Sequence, residues 1–176
     1  MIAHTDALAE VGLAPELWRW TLTLISTRDE LRDYIATAVE ERDAGKSLPF
    51  VVIEKATGKA IGSTRYGNID MAHKRLEIGW TWYGTAYQRT GVNTETKLLL
   101  LTHAFETLGM RRVELKTNSM NAKSRAGIER IGAKHEGTFR KHGISWDGTN
   151  RDTVYYSIID DEWPEAKWRL AAKLRP

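Results

Sequence analysis

Trp82-Tyr83-Gly84-Thr85-Ala86-Tyr87-Gln88-Arg89-Thr90-Gly91-Val92-Asn93-Thr94 is the stretch on which the reading of this chain turns. It leaves a strand pattern, crosses a turn and opens the strongest helical pattern in the sequence. From Thr94 to Leu108, the residues Leu98, Leu101, Phe105 and Leu108 recur at helical spacing. Leu100 and Ala104 broaden the stripe, and Gly109 closes it. A helix start leaves its first N–H groups without partners and carries partial positive charge. Such donors suit a diphosphate. Gly91 lets the backbone come close to one, and Arg89 adds a formal charge. The same residues also describe an ordinary helix start with a glycine turn and a surface arginine, and spacing alone leaves both readings open. Two better-known phosphate patterns are absent: the Gly-Lys-Ser/Thr loop of ATP-binding proteins and the three spaced glycines of dinucleotide sites.

Outward from this point the period changes twice. Upstream, Arg75 to Tyr83, Ala60 to Ile69 and Phe50 to Glu54 are strand candidates, with turns at Thr57-Gly58 and near Asp70 to Lys74, which together predict an antiparallel meander. Before Pro49 the chain reads as helical. Thr27 with Glu30 forms a capping box, Leu31, Tyr34, Ile35, Ala38 and Val39 share one face, and Gly45 ends the helix. Pro15-Glu16-Leu17-Trp18 resembles an earlier helix start. Downstream, Arg112 to Thr117 is a strand and Ala122 to Ile131 a helix stopped by Gly132. Ala133 to Ile144 and Thr153 to Ile159 are strands around a Trp146-Asp147-Gly148 turn, and Asp161 to Leu174 is a last helix. The order is mixed α/β (α+β), and no linker, repeat or low-complexity tract divides it, so residues 1–176 are expected to form a single domain.

Composition excludes several functions. With 176 residues the chain can bury one core and hardly two. Lys plus Arg exceed Asp plus Glu by only 26 to 23, a net charge of +3. Its basic clusters are short, Arg111-Arg112 and Arg140-Lys141, so nucleic acid is not an expected partner. The absence of cysteine rules out disulfides, thiolate nucleophiles and Cys-based zinc sites. His4, His73, His103, His135 and His142 show no metal-binding spacing, and no metal is expected. No Gly-x-Ser-x-Gly occurs; Gly143-Ile144-Ser145-Trp146-Asp147 fails at its last position. The start lacks a signal-peptide pattern, and the longest apolar run, Leu98 to Leu101, is too short to span a membrane. A cytoplasmic location is expected.

Four blocks in register carry a family resemblance. Gln88-Arg89-Thr90-Gly91-Val92-Asn93 resembles the pyrophosphate loop of GNAT acetyltransferases, usually Gln/Arg-x-x-Gly-x-Gly/Ala. Phe105-Glu106-Thr107-Leu108-Gly109-Met110-Arg111-Arg112-Val113-Glu114-Leu115 resembles the end of the coenzyme-binding helix and the strand after it. Asn121-Ala122-Lys123-Ser124 with Ile131-Gly132-Ala133 resembles the Asn-x-x-Ser…Leu-Gly-Phe block. Glu136 to Arg140, Arg151-Asp152, Tyr156 to Ile158 and Glu162-Trp163 resemble the end of the ribosomal-protein N-terminal acetyltransferase branch, which modifies alanine or serine N-termini. The resemblance runs from about Phe50 to the end. It implies the GNAT fold, a largely antiparallel sheet of about six to seven strands flanked by helices. The first strand is the uncertain one, because Met1 falls close to where the first helix should begin. Asn93 is the second departure, where Gly or Ala is usual.

The resemblance also implies the chemistry: an amine attacks the thioester of acetyl-CoA directly. Binding of acetyl-CoA would fall to the main chain of Arg89, Thr90, Gly91, Val92, Asn93 and Thr94, with Gln88 nearby and Asn121 on the coenzyme arm. Backbone N–H groups of Trp82-Tyr83-Gly84 would stabilise the oxyanion. Many relatives protonate the thiolate with a tyrosine where this chain has Ile128; the ribosomal-protein branch uses the serine that is Ser124 here. Without the family, Asn121 reads as a helix cap and Ser124 as a first-turn polar residue. A branch glutamate falls on Gly143, so Glu77, on the strand leading into the loop, is the leading base, with His135, His142, Glu136 or an ordered water behind it. Trp82 is placed to line an acceptor cleft. Three functions follow: acetylation of a protein or peptide amine; acetylation of a small-molecule amine; and a module that holds acetyl-CoA without turnover, for which Asn93, Ile128 and Gly143 argue. Acceptor specificity is expected from the helical first third and the last hairpin. Exposed strands near the end could pair two copies as a homodimer.

Overall fold

The computed structural model describes residues 2–175; Met1 and Pro176 lie outside them. Two helices open the chain, α1 (Thr5–Gly12) and α2 (Arg28–Asp43). The capping box at the start of α2 is present in full: Thr27 Oγ1 accepts from the Glu30 N–H, and Glu30 Oε2 accepts from the Thr27 N–H. Gly45, at φ 70°, turns the chain out of it. Pro15–Leu17 makes a single 3₁₀ turn instead of the expected longer helix. The Trp18 ring is buried there, and its Nε1 donates to the Gly12 carbonyl, anchoring this segment on the end of α1.

The meander follows as β1 (Leu48–Ile53), β2 (Ala60–Asp70) and β3 (Arg75–Tyr83). Helix α3 (Val92–Thr102) continues as a wider π turn over His103–Thr107. Tyr66 meets the helix just before this turn: its hydroxyl donates to the Leu100 carbonyl at 2.5 Å, which also accepts from the His103 N–H. The chain ends with β4 (Arg112–Asn118), α4 (Ala122–Arg130), β5 (Lys134–Ile144), β6 (Asn150–Ile159) and α5 (Trp163–Ala172). Six strands pair in the order β1-β2-β3-β4-β6-β5, with β3–β4 the parallel contact. This is the mixed α/β GNAT architecture, and among the described residues no strand precedes α1.

Two apolar clusters cover the sheet. On one face α3, α4 and α5 bury Leu101, Ala104, Ile128, Trp163 and Leu170 against Tyr66, Leu76, Ile78, Val113, Tyr156 and Ile158. On the other, α1 and α2 bury Leu8, Leu31 and Ile35 with Trp18 and Trp82. Side chains alternate along a strand, so Glu77 and Lys116 lie on the face of α1 and α2. Those helices contact β1, β2 and β3. Beyond them this face is an open groove of about 1000 Å³ lined by Asn68, Arg75, Arg112, Lys116, Glu136 and Tyr155.

Candidate active site

Strands β3 and β4 pair only from Arg75↔Arg112 to Glu77↔Glu114. Past Glu77 the two diverge, and β3 keeps a partner on one edge alone, β2. That remaining ladder is itself interrupted, since its register shifts between Ser63↔Trp82 and Arg65↔Gly79. The extra residue is Trp80, at φ 51°, a left-handed conformation that a tryptophan adopts only when its surroundings impose it. Its indole lies over Arg65 and against Gly67, where a Cβ would stand 2.4 Å from the ring. The bulge reverses the alternation, and Trp82 therefore packs under α1 and α2 with Trp18 instead of lining a cleft as expected. On this face Trp80 is half-exposed, at 42 %. Trp82 Nε1 is buried without a hydrogen-bond partner among the described residues.

Past the bulge, Gly84 N–H donates to the Ile61 carbonyl at 2.9 Å. That bond removes Gly84 from the expected oxyanion donors. Antiparallel bonding alternates along a strand, so Trp82 also turns toward β2, and Tyr83 turns its N–H to the side from which β4 has departed. The Tyr83 carbonyl on that side accepts from Gln88 Nε2 at 3.1 Å. The loop then makes a 3₁₀ turn over Thr85–Tyr87 and enters α3. The residue in the left-handed region here is Arg89, φ 62°, and not the glycine; Gly91 is right-handed at φ −66°. A Cβ on Gly91 would meet nothing nearer than Leu174 Cδ2 at 3.7 Å, so the space above it is open. Val92 N–H reaches Thr90 Oγ1 at 3.3 Å, and the first in-helix bond is Glu95 N–H to the Gly91 carbonyl. The N–H groups of Asn93 and Thr94 thus stand at the start of the helix without in-helix partners. Asn93 does not crowd the turn: its Oδ1 accepts from the Tyr83 hydroxyl at 3.2 Å, which folds the side chain back onto β3. Burial pushes that phenol up to about 12.

The other wall is α4. Asn121 is the helix cap that its type suggests, its Oδ1 accepting the Ser124 N–H at 3.0 Å; its amide nitrogen is left for other contacts. Ser124 is half-buried in the first turn, and Ile128 is a core residue one turn further on. Lys123 Nζ donates to Gln88 Oε1, joining α4 to the loop, and Arg130 donates to Thr94 Oγ1 at 2.8 Å. Sequence reasoning missed both cations, because neither belongs to a motif and the fold alone brings α4 beside the loop.

Glu77, 5 % exposed, is the last residue of β3 paired with β4. Its Oε2 accepts from Asn68 Nδ2 and from Lys116 Nζ, each at 2.6 Å. The Glu77 charge holds Lys116 protonated against the cost of its burial, the net effect being a raised pKa. Oε1 has no hydrogen-bond partner among the described residues and faces Gly79, where a Cβ would stand 2.9 Å away. The alternative bases are placed less well. His135 packs edge-on to Tyr156, on the face of α3, α4 and α5. Glu136 is held by Arg112 and Ser157, and the guanidinium keeps its carboxyl below the usual range. His142 packs tilted on Phe139 and edge-on to Tyr155, toward the outer end of the sheet. Among the described residues no three His, Asp or Glu side chains gather as a metal site, and no helix is long and apolar enough to cross a membrane.

Comparison with known proteins bears on the fold and the family. A Bacillus subtilis (strain 168) protein named "Putative ribosomal N-acetyltransferase YdaF" is 36 % identical over 110 residues, which cover 62 % of this chain and 59 % of that protein. The crystal structure of a GCN5-related N-acetyltransferase from Brucella melitensis superposes with a TM-score of 0.90 at 34 % identity, over 99 % of this chain and 79 % of that one. Mycobacterium smegmatis RimJ, solved in complex with CoA-disulfide, shares the fold with a TM-score of 0.82 at 23 % identity, over 98 % of this chain and 86 % of that one. Residues 1–134 match the acetyltransferase (GNAT) domain, and the chain belongs to that family.

Proposed function

We propose that this acetyltransferase moves the acetyl group of acetyl-CoA onto a protein or peptide N-terminal amine. One observation carries the reading: β3 leaves β4 at Glu77 and runs, through the turn at Thr85–Tyr87, into a helix start where the N–H groups of Asn93 and Thr94 have no partner among the described residues. A slot between strands thereby opens beside a diphosphate cradle. The residues present fit the coenzyme. The main chain from Arg89 to Thr94, with Gln88, lies over an open glycine, and Arg89 and Lys123 supply positive charge. Asn121 Nδ2 is free to meet the coenzyme arm.

Acetyl-CoA, when bound, supplies an acetyl group on a thioester that the acceptor amine attacks. The chain has three tasks. Glu77 Oε1 takes the proton that the acceptor sheds, while Lys116 and Asn68 hold Oε2 and fix the carboxylate. Tyr83 N–H, directed into the slot, meets negative charge growing on the thioester oxygen. Ser124 Oγ gives its hydrogen to the departing sulfur and recovers one from water. The acceptor enters from the face of Glu77, along the groove past Tyr155. The printed name of the Bacillus relative supports a ribosomal-protein acceptor, and the open, groove-like face suits a chain terminus better than an enclosed small molecule.

Free CoA release measured on a panel of N-terminal peptides and small amines tests this. Release with Ala- or Ser-starting peptides supports the proposal. Release with small amines alone replaces it by the small-molecule reading. Acetyl-CoA raising the melting temperature, with no release on any acceptor, leaves a binding module.

A further inference from the structure

The mechanism above makes no use of one enclosed amine. Lys97 sits in the second turn of α3 and is 5 % exposed. Among the described residues its hydrogen-bond partner is Thr81, whose Oγ1 accepts from Lys97 Nζ at 3.0 Å. Thr81 Oγ1 lies 2.7 Å from Thr64 Oγ1, and both hydroxyls lie close to the Gly79 carbonyl, at 3.4 Å and 3.5 Å. These groups fill the gap that the Trp80 bulge leaves in the β2–β3 ladder. An apolar side chain would pack between α3 and β3 without the cost of enclosing an amine. Burial here is strong enough to push the Lys97 ionisation down to about 7, with only the Glu77 carboxylate working against it.

The position of this contact gives it a purpose. Thr81 precedes by two residues the Tyr83 N–H that faces the slot. In that stretch β3 has lost β4, and its ladder to β2 breaks between Gly79 and Trp82, so Thr81 falls where main-chain pairing is interrupted. Lys97 ties it to α3, the same helix whose first turn forms the diphosphate cradle. We propose that Lys97 is a positioning residue for acetyl transfer, acting through Thr81 to set the free end of β3 and the direction of the Tyr83 N–H. The role rests on the acetyl-CoA reading of the slot. It links the two ends of that site, cradle and oxyanion donor, through one rigid element. Donors of this kind must be held to within about 0.5 Å.

The test compares wild type with Lys97→Met, Thr81→Val and Thr81→Ser. Calorimetry gives the dissociation constant for acetyl-CoA, and infrared difference spectroscopy gives the carbonyl stretch of bound [1-13C]acetyl-CoA, neither needing an acceptor. Turnover is read with the best acceptor of the panel. Lys97→Met and Thr81→Val should bind acetyl-CoA as wild type does, lose the lowering of the carbonyl stretch, and lose about 10- to 100-fold in kcat. Thr81→Ser, which keeps the hydroxyl, should behave as wild type. A carbonyl stretch unchanged by Lys97→Met overturns the proposal. So does a Thr81→Ser protein as impaired as Thr81→Val, or a dissociation constant that weakens in step with kcat. A wild-type protein that takes up no acetyl-CoA overturns the coenzyme reading itself, and this role with it.

Discussion

Lys97 also has a consequence for stability, because an amine forced toward its neutral form is linked to folding through the protons it gives up. In the unfolded chain it ionises near the ordinary lysine value of 10.5; in the folded protein burial brings this to about 7. Between those values the unfolded state binds the extra proton, so this residue's contribution to stability rises with pH. Below about 7 both states are protonated and the cost of enclosing the charge is at its full size. Lys97→Met removes the whole dependence. The variant should therefore melt above wild type, by most near pH 6, with the gap narrowing steadily toward pH 9.5. Thermal unfolding followed at several pH values below 10 measures it; above that, the Tyr83 phenol, pushed up to about 12, begins to contribute with the opposite slope. A constant gap would mean that the amine is not enclosed. A gain in stability with a loss of turnover is the pattern of a residue kept for function.

At the scale of elements, the decisive feature is a one-residue bulge. Strand pattern marks β3 correctly from Arg75 to Tyr83, but alternation read through it puts Trp82 on the face of Leu76 and Ile78. The structure turns Trp82 under the first helices, because Trp80 is the inserted residue. The sequence holds a trace of this in Gly67, since an isolated glycine in a strand marks a bulge or a close approach. Only the three-dimensional pairing shows that the close approach is the Trp80 ring. Gly67→Ala places a Cβ 2.4 Å from that ring and must move either the indole or the strand. It should cost about 1–3 kcal/mol of stability in denaturant titration, and fluorescence should report Trp80 displaced from Arg65. The π turn after α3 is equally hidden from pattern, since Leu98, Leu101, Phe105 and Leu108 read as one continuous helix. The hydroxyl that meets the helix there, on the Leu100 carbonyl, is that of Tyr66, 34 residues away in sequence.

At the scale of the whole molecule, element order was legible because periodicity and capping are local. Strand order and splay were not, because they depend on which strands meet. The loop proposed for the diphosphate, Gln88 to Thr94, stood out by motif, whereas Lys123, Arg130 and Lys97 stand in no pattern that singles them out. The same limit applies to the acceptor side, where residues far apart in sequence close one face. Arg151, on β6, donates through its Nη1 to the Trp20 carbonyl at 2.7 Å, across 131 residues. Gly143 of β5 packs by Leu22, which a Cβ there would meet at 3.6 Å. The segment around Trp20 to Leu22 and the β5–β6 hairpin are thus clasped together at one end of the Glu77 face, the two regions from which acceptor specificity was expected. Arg151→Ala opens the clasp and leaves the Gln88 to Thr94 loop alone, while removing a positive charge that acts on Glu77. A charge-assisted bond to a carbonyl is worth about 1.5–3 kcal/mol, so the loss in global stability should be of that order or less. The larger effect should be local: faster amide exchange over residues 18–24 and 143–150, with exchange in α3 unchanged. KM for the acceptor should rise while KM for acetyl-CoA stays constant, because the clasp borders one substrate's path and not the other's. Equal changes in both constants would show instead that the two halves of the sheet move together, and that the acceptor face is not an independent unit.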